Sequence, residues 1–440
     1  MIYFIALIIF LLPSYLVRFS VFQIPTTLLE ILIYLGAITT ALKFSIFNFQ
    51  FSNKSQFSIF KQKQILIPII LFLLAGIISI FVSPDKREAL GLFKAYILDP
   101  VLLSFVILIN LNKKREILNP KLQIINKFQT PNSKQKLEIG NWKLEILLKS
   151  LILSGLVIAL HAIWQKITGS VTTDGRVVGV FGYSPNYLAL YLAPILVLLI
   201  AYSLWFMARK NLITLLPYIL MTLIIIYALF LTGSRAAIGA VVIGVISYYV
   251  ISYWDWIRAK KINILFFSFL VLLFLGLSWQ IVKPNWNATP DSGRLSSSNN
   301  IRWEIWKTTA KDILPQKWLL GVGLGNYQDY FIELTKDRVN FPEWIAPRAL
   351  TPHNLFLNIW VNMGLLGLIA FICLLYLFFK FISNKRYALS NMLFAVMITT
   401  LVQGMVDTPY WKNDLAALFW ILLALIIVNY SSKNEEDVKI

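Results

Sequence analysis

The sequence predicts an all-α polytopic membrane protein, and two observations support this fold class. Of its 440 residues, 58% are hydrophobic and only 14% are charged, whereas soluble domains carry about 25% charged residues. Stretches such as 65–82 and 262–282 are almost uncharged and have the length, about 18 residues or more, that a helix needs to cross the hydrocarbon core. Because backbone groups in lipid must be satisfied within their own segment, these stretches are expected to be helices.

Hydropathy predicts about twelve transmembrane helices. They are expected at 1–17, 21–42, 65–82, 96–111, 150–167, 186–206, 212–232, 236–253, 262–282, 354–379, 388–406 and 415–430. The chain then divides into six regions: four helices (1–111), a basic insert (112–149), five helices with a Gly-rich loop (150–282), a long extracytoplasmic loop (283–353), three helices (354–430) and a tail (431–440).

The net charge of +19 is explained by membrane orientation. With both termini in the cytoplasm, every predicted cytoplasmic loop is basic, as the positive-inside rule requires. Lipid headgroups are therefore the expected partners of this charge, and no nucleic acid is expected. The N-terminal stretch 1–17 lacks a basic leading region and is interpreted as a retained helix. The single cysteine, Cys373, excludes a disulfide framework and cysteine-cluster metal sites.

Three basic features lie at predicted outer ends of spans, where a charge is costly without a partner or a function. In the first, LTGSRA, a very short turn joins two predicted spans, so Arg235 is expected at the membrane surface. Its side chain could simply anchor a helix end by extending to the interface. Alternatively, its planar guanidinium suits bidentate binding of a phosphate.

The second feature is NIRWEIW, within a predicted helix over 300–313. Arg302 and Trp306 are four residues apart and share one helix face, so the guanidinium could lie over the indole and face an anion. The glycines at 321, 323 and 325 superficially resemble a nucleotide-binding loop, but no strand precedes them. They are better explained as a tight turn that returns the loop to the membrane.

The third feature is TPHN, in which His353 and Asn354 immediately precede a span. A histidine at a helix start can be a structural hydrogen-bonding residue or a general base at the water interface. Arg176, in the Gly-rich outer loop, is either a further phosphate ligand or a surface residue. The outer segments contain no Asp-x-Asp motif and no His/Cys ligand spacing. Neither a metal nor a cofactor is therefore expected.

Four segments together resemble the family of O-antigen ligases and polysaccharide polymerases. They are GRVVGVFGYSPNYLALYLAP, LTGSRAAIGA, NIRWEIWKTTAKDILPQKWLLGVGLGNY and TPHNLFLNIWVNMGLLGL, and the resemblance covers about 150–410. It implies a fold similar to the C-type multispanning glycosyltransferases and a site on the outer face of the bacterial cytoplasmic membrane. It further implies that Arg235 and Arg302 bind the diphosphate of a polyprenyl-linked glycan donor and that His353 is the catalytic base.

In this interpretation Arg176, Asn354 and Trp306 complete the substrate-binding residues, and the acceptor is a hydroxyl on a glycan, lipid or protein. The competing class is a transporter or flippase of lipid-linked glycans, whose charged sites should lie near the bilayer midplane. The predicted positions of Arg235, Arg302 and His353 at the outer rim favour the transferase. A scaffold without activity would leave all three individually replaceable.

Overall fold

The computed structural model describes residues 1–21, 24–48, 63–111, 142–182, 184–208, 212–252, 298–338, 345–383 and 388–437. In these residues the chain forms a bundle of α-helices with one two-stranded hairpin. Among the described residues, seven helical segments are long and apolar enough to cross a membrane, and one of them is the continuous run Lys86–Leu111. Two shorter apolar helices accompany them. The predicted all-α architecture, with several helices of membrane-spanning length, is thereby confirmed for the described residues. The count of twelve spans stays a prediction, and the span expected at 262–282 lies outside the described residues.

The helices are numbered here in chain order. They are α1 (Ile2–Phe10), α2 (Leu28–Asn48), α3 (Lys63–Val82), α4 (Lys86–Phe93), α5 (Asp99–Leu111), α6 (Trp142–Thr168), α7 (Pro185–Ala208), α8 (Leu212–Leu231), α9 (Arg235–Ser252), α10 (Ser298–Thr308), α11 (Leu314–Lys317), α12 (Tyr327–Thr335), α13 (Leu355–Ser383), α14 (Ala388–Gly404) and α15 (Asn413–Asp437). The hairpin pairs β1 (Arg18–Val21) with β2 (Ile24–Thr27). Helix α6 begins inside the predicted insert, whose remainder, 112–141, lies outside the described residues.

The N-terminal region differs from the two spans predicted at 1–17 and 21–42. Helix α1 ends at Phe10 and a 3₁₀ turn containing Pro13 follows, because proline lacks the N–H that a continuing helix needs. Helix α2 begins only after the hairpin, where Thr27 and Glu30 cap it reciprocally. The Thr27 backbone N–H donates to the Glu30 carboxylate at 3.1 Å, and the Glu30 N–H donates to the Thr27 hydroxyl at 3.2 Å. This capping box determines where the helix starts.

Two helices form the centre of the bundle. In the apolar 18-residue stretch of α7 and of α15, 83% and 89% of the residues are buried, whereas the buried fraction in α9 is 22%. Helix α9 therefore exposes most of its apolar surface, which is the position of a peripheral helix that faces lipid. It still packs closely against α14, because Gly244 lies against the Ala395 backbone and the side chain of Thr399.

Helix α13 is broken at Gly364, and the glycine-rich loop over 319–325 supplies hydrogen-bond partners for the backbone at the break. Gly364 has φ 68° and ψ −173°, a conformation essentially restricted to glycine. The Leu365 N–H donates to the Leu319 carbonyl at 3.0 Å, and the Val322 N–H donates to the Val361 carbonyl at 2.7 Å. The loop thus satisfies backbone groups that the break leaves unpaired. Its glycines at 321, 323 and 325 all have positive φ, which agrees with the predicted tight turn.

We predict that Gly364→Ala destabilises the protein. Strain at this backbone conformation costs about 1–3 kcal/mol, and a new Cβ would lie 2.2 Å from the Leu319 carbonyl oxygen. The thermal unfolding midpoint in detergent should fall clearly. Gly239→Ala is the matched control, because nothing lies within 4 Å of a Cβ at this position. Equal midpoints for the two variants would contradict the proposed role of the break.

Candidate active site

Several helix ends and connecting segments meet at one end of the bundle, which we call the site end. The end of α14 contacts the start of α7, where the Gln403 amide donates to the Ala189 carbonyl at 3.2 Å. The start of α13 joins them, because the Asn354 amide donates to the Met405 carbonyl at 3.0 Å. Helix α9 packs antiparallel to α14, because Gly244 lies against Thr399 and the Asn391 amide donates to the Ser252 hydroxyl at 3.1 Å. The first residue of α9, Arg235, therefore lies at the same end.

His353 occupies a strained backbone position at the start of α13. Its φ is +46°, and among the described residues it alone is a non-glycine with positive φ. Strained backbone of this kind is often associated with functional sites. Asn354 caps the helix, since its side-chain oxygen accepts from the Leu357 N–H at 3.0 Å. Both polar atoms of the Asn354 side chain are therefore used for structure, and its predicted contact with substrate stays a prediction.

A buried carboxylate lies beside His353. The Nδ1 atom of His353 is 3.7 Å from Oδ1 of Asp407, and only 7% of Asp407 is exposed. Burial by itself would raise the pKa of the Asp407 carboxyl. The interaction with His353 and the charge of Arg302 outweigh burial, so the pKa lies below its ordinary value. Asp407 is thus held as a carboxylate, and its charge can stabilise the protonated form of the imidazole.

Helix α10 is attached directly to the segment that carries His353. The indole N–H of Trp306 donates to the Pro352 carbonyl at 2.8 Å. Arg302, one helical turn earlier on the same face, is half-buried, and its charge acts on Asp407. The helix predicted over 300–313 is confirmed as α10 and the π-helical turn Thr309–Ile313. Trp306 has a structural hydrogen bond, and its predicted contact with substrate stays a prediction.

The structure also brings Arg176 next to the turn that precedes Arg235. A Cβ on Gly233 would lie 2.7 Å from Cδ of Arg176, and the Val177 N–H donates to the Leu231 carbonyl at 3.2 Å. Arg176 is paired with Asp174 at 2.6 Å. Arg235 itself is exposed at the first position of α9. In the part of the chain that the structure describes, neither Arg235 nor Arg302 has a carboxylate within 4.0 Å.

The sequence analysis missed three residues at the site end: Asp407, Tyr187 and Lys412. The Lys412 ammonium lies 4.2 Å from the centre of the Tyr187 ring, and the charge of Asp407 acts on Tyr187. The segment 405–412 had one signal that could have identified it. It places two charged residues between the apolar helices α14 and α15, and a charge beside a span usually needs a partner or a function.

The described residues contain no group of three or more His, Cys, Asp or Glu side chains that could hold a metal ion. The chemistry available from the described side chains is thus that of an imidazole, a carboxylate and several cations. The imidazole can accept a proton, and guanidinium groups can bind a phosphate or diphosphate.

Comparison with known proteins confirms the family resemblance. Residues 220–372 match the family model described as O-Antigen ligase, and this region includes Arg235, Arg302 and His353. A protein of Rickettsia typhi, named as a polysaccharide ligase, is 26% identical over 217 residues, which are 47% of this chain and 49% of the relative. A similarly named protein of Rickettsia prowazekii is 27% identical over 219 residues, with the same coverage.

A third relative covers a shorter part of the chain. It comes from Rickettsia conorii, is also named as a polysaccharide ligase, and is 31% identical over 120 residues, or 27% of each protein. The chain thus spans between about a quarter and a half of the length of these relatives. Membrane-spanning helices and similarity to polysaccharide ligases are therefore the properties that the comparisons and the fold support together.

We predict that Asp407→Asn removes a pH-dependent part of the stability. Because the folded pKa lies below the unfolded value of about 3.9, the carboxylate stabilises the fold above that value. The contribution is lost as pH falls through the folded pKa. The difference in unfolding midpoint between wild type and Asp407→Asn should therefore be largest near pH 5–7 and shrink below about pH 4. A difference independent of pH would contradict an ionised Asp407.

Proposed function

We propose that the protein transfers a glycan from a polyprenyl diphosphate carrier to an acceptor hydroxyl on the outer face of the cytoplasmic membrane. The observation that carries the proposal is the His353–Asp407 pair, within electrostatic range of Arg302. The similarity to polysaccharide ligases supports glycan transfer in general. The direct test is to incubate purified protein with a polyprenyl-diphosphate glycan and an acceptor, and to measure release of the carrier diphosphate.

Breaking the bond between sugar and diphosphate places negative charge on the leaving oxygens. In our mechanism Arg235 and Arg302 bind the diphosphate and stabilise this charge through bidentate hydrogen bonds. Both guanidinium groups lack a carboxylate partner among the described residues, so they are suited to an anionic ligand. Arg176, beside the turn before Arg235, adds a third cation, partly neutralised by Asp174.

The acceptor oxygen attacks the anomeric carbon, and the bond to the diphosphate breaks with its electron pair. The acceptor proton passes to the imidazole of His353. Because Nδ1 faces Asp407, Nε2 is the nitrogen available for this proton. At 3.7 Å Asp407 does not hydrogen-bond the imidazole, so in our mechanism its negative charge stabilises the imidazolium, which is a positioning role. In-line attack inverts the anomeric centre, and a product with retained configuration by NMR would contradict this mechanism.

We predict that Arg235→Lys and Arg302→Lys each reduce carrier release by about 100-fold or more, because an ammonium cannot reproduce bidentate contact with a diphosphate. Arg338→Lys is the matched control, since Arg338 is already paired with Asp312. It should keep activity close to wild type. Full activity of the first two variants would contradict diphosphate binding by the arginines. Loss of wild-type activity in EDTA would contradict the metal-independent mechanism.

We predict that His353→Ala lowers turnover by about 10²–10⁴-fold while donor binding is nearly unchanged, because the base acts in the transition state. His353→Asn is the control for folding, since asparagine tolerates positive φ. It should fold at least as well as wild type and remain inactive. The wild-type rate should also fall at low pH, because only a neutral imidazole accepts a proton. Activity of His353→Asn within a few-fold of wild type would exclude a catalytic base here.

The alternative function, transport or flipping of a lipid-linked glycan, makes a different prediction for the same assay. A transporter would move the donor between vesicle leaflets without releasing the carrier diphosphate. An inactive scaffold would do neither. Carrier release by the purified protein therefore separates the transferase from both alternatives.

A further inference from the structure

Three consecutive apolar side chains are exposed where the glycine-rich loop over 319–325 begins. They belong to Trp318, Leu319 and Leu320, which are 49%, 54% and 51% exposed, and we call them the apolar tip. Neighbouring exposed apolar residues form a patch, and such patches mark surfaces that contact another protein, a ligand or a membrane. The apolar tip is therefore a candidate interaction surface.

Helices α3 and α13 lie side by side and run in opposite directions. The Ser79 hydroxyl donates to the Asn362 carbonyl, and nearer the other end the Lys380 ammonium donates to the Gln64 side-chain oxygen at 3.2 Å. Both helices are long and apolar enough to cross a membrane. Each carries a stripe of exposed apolar side chains, which we expect to face lipid chains. The stripes contain Ile67, Leu74 and Phe81 on α3, and Ile369, Ile372 and Tyr376 on α13.

The apolar tip lies within the length of α3 and not beyond its end. The Leu319 carbonyl accepts from the Leu365 N–H at 3.0 Å, and Leu365 follows Asn362 along α13, away from the site end. Helix α3 continues from Ser79 to Val82 in the opposite direction. These two offsets together are about six residues, so the apolar tip lies roughly 9 Å inside the end of α3 at a rise of 1.5 Å per residue. That depth is within the hydrocarbon core that a helix of this length crosses.

The backbone carbonyls of this region are hydrogen-bonded to protein. The Trp318 carbonyl accepts from the Trp360 indole N–H at 2.8 Å, and the Lys317 carbonyl accepts from the Gly321 N–H at 2.8 Å. The Leu319 carbonyl is paired with α13. Irregular backbone at membrane depth is tolerated only where its polar groups have partners other than lipid. The apolar tip meets this condition and still exposes its three side chains.

The residues at the start of the apolar tip are those expected at a membrane surface. The Lys317 ammonium lies 5.5 Å from the centre of the Tyr330 ring in α12, so its charged end is held against the extracytoplasmic segment. Lysine commonly places its apolar stem along apolar surface and its ammonium in water. Tryptophan is enriched at the level of the lipid headgroups. The order Lys317, Trp318, Leu319 therefore matches a chain that enters the hydrocarbon core from the interface.

We propose that the apolar tip is a re-entrant contact with the acyl chains of bulk phospholipid in the leaflet at the site end. Continuity of the surface favours this partner. Leu365, which hydrogen-bonds Leu319, precedes Ile369 by one helical turn, so the apolar tip extends the stripe of α13 toward the site end. Lipid chains that cover this stripe also reach the apolar tip.

This contact would attach α10, α11 and α12 to the bilayer at one point. The second attachment is the hydrogen bond from Trp306 to the Pro352 carbonyl. Arg302 and Trp306 would then be held between the segment that carries His353 and a membrane contact. The inference concerns the membrane surface of the protein and does not depend on glycan transfer.

The test is the accessibility of a nitroxide spin label to oxygen and to a polar nickel chelate. Single-cysteine variants are made in the full-length Cys373→Ser chain and reconstituted into vesicles of dioleoyl phosphatidylcholine. Oxygen concentrates in hydrocarbon, whereas the chelate stays in water. A label at Leu319→Cys should be severalfold more accessible to oxygen than to the chelate. Ile372→Cys, on the stripe of α13, is the control for lipid contact, and Glu333→Cys, exposed on α12, is the control for water.

Three results at Leu319→Cys would overturn the proposal. Preference for the chelate, as at Glu333→Cys, would place the apolar tip in water. Exclusion of both reagents would show that another part of the chain covers it. Spin–spin broadening that disappears on dilution with unlabelled protein would show that a second copy covers it. If Leu319→Cys unfolds at a lower temperature than the Cys373→Ser parent, Leu320→Cys takes its place with the same expectations.

A further measurement distinguishes bulk phospholipid from the tail of a polyprenyl carrier. Polyprenyl phosphate is added to the vesicles at a low mole fraction, and oxygen accessibility should stay unchanged at both Leu319→Cys and Ile372→Cys. A decrease at Leu319→Cys alone would assign the apolar tip to the carrier tail and overturn the assignment to bulk lipid. All these measurements are made without turnover, so they stand or fall separately from carrier release.

Discussion

The burial of Tyr410 determines the geometry of the site end. Its hydroxyl donates to the Tyr96 carbonyl at 2.8 Å and accepts from the Trp420 indole at 2.9 Å, and the side chain is fully buried. The segment between α14 and α15 is thereby held against the core. This segment contains three groups of the site end: the Met405 carbonyl, which accepts a hydrogen bond from Asn354, the Asp407 carboxylate and the Lys412 ammonium. A loop that is merely exposed could not hold these groups in fixed positions.

The low dielectric of the bundle explains how its charges are distributed. Buried carboxylates are costly unless they are paired or hydrogen-bonded. Accordingly Glu30 pairs with Lys94, Asp99 accepts from the Tyr34 hydroxyl at 2.8 Å, and Asp407 lies beside His353. The guanidinium groups of Arg235 and Arg302 lie at the site end without such partners in the described part of the chain. This asymmetry is expected where an anionic substrate supplies the missing charge.

The sequence was sufficient for the helical fold class and for the helix over 300–313, because hydrophobic length and helical spacing are local properties. The grouping of Arg302 with His353 came from the family resemblance. The sequence was not sufficient for Asp407 or Lys412. These two residues reach the site end because α14 and α15 pack so that the segment between them faces the start of α13. This contact joins residues that are far apart in the chain. The early end of α1 could have been predicted from Pro13, and the start of α2 from the spacing of Thr27 and Glu30.

The positive φ of His353 connects local strain with the proposed chemistry. A non-glycine residue in this region costs about 1–3 kcal/mol and persists only where its neighbours enforce it. Here Pro352 is held by Trp306 on one side, and Asn354 is held by its cap and by Met405 on the other. Trp306 and Asn354 thus act as supports of the segment that carries His353. A glycine would relieve the strain at this position, but it would remove the imidazole on which the proposed mechanism depends.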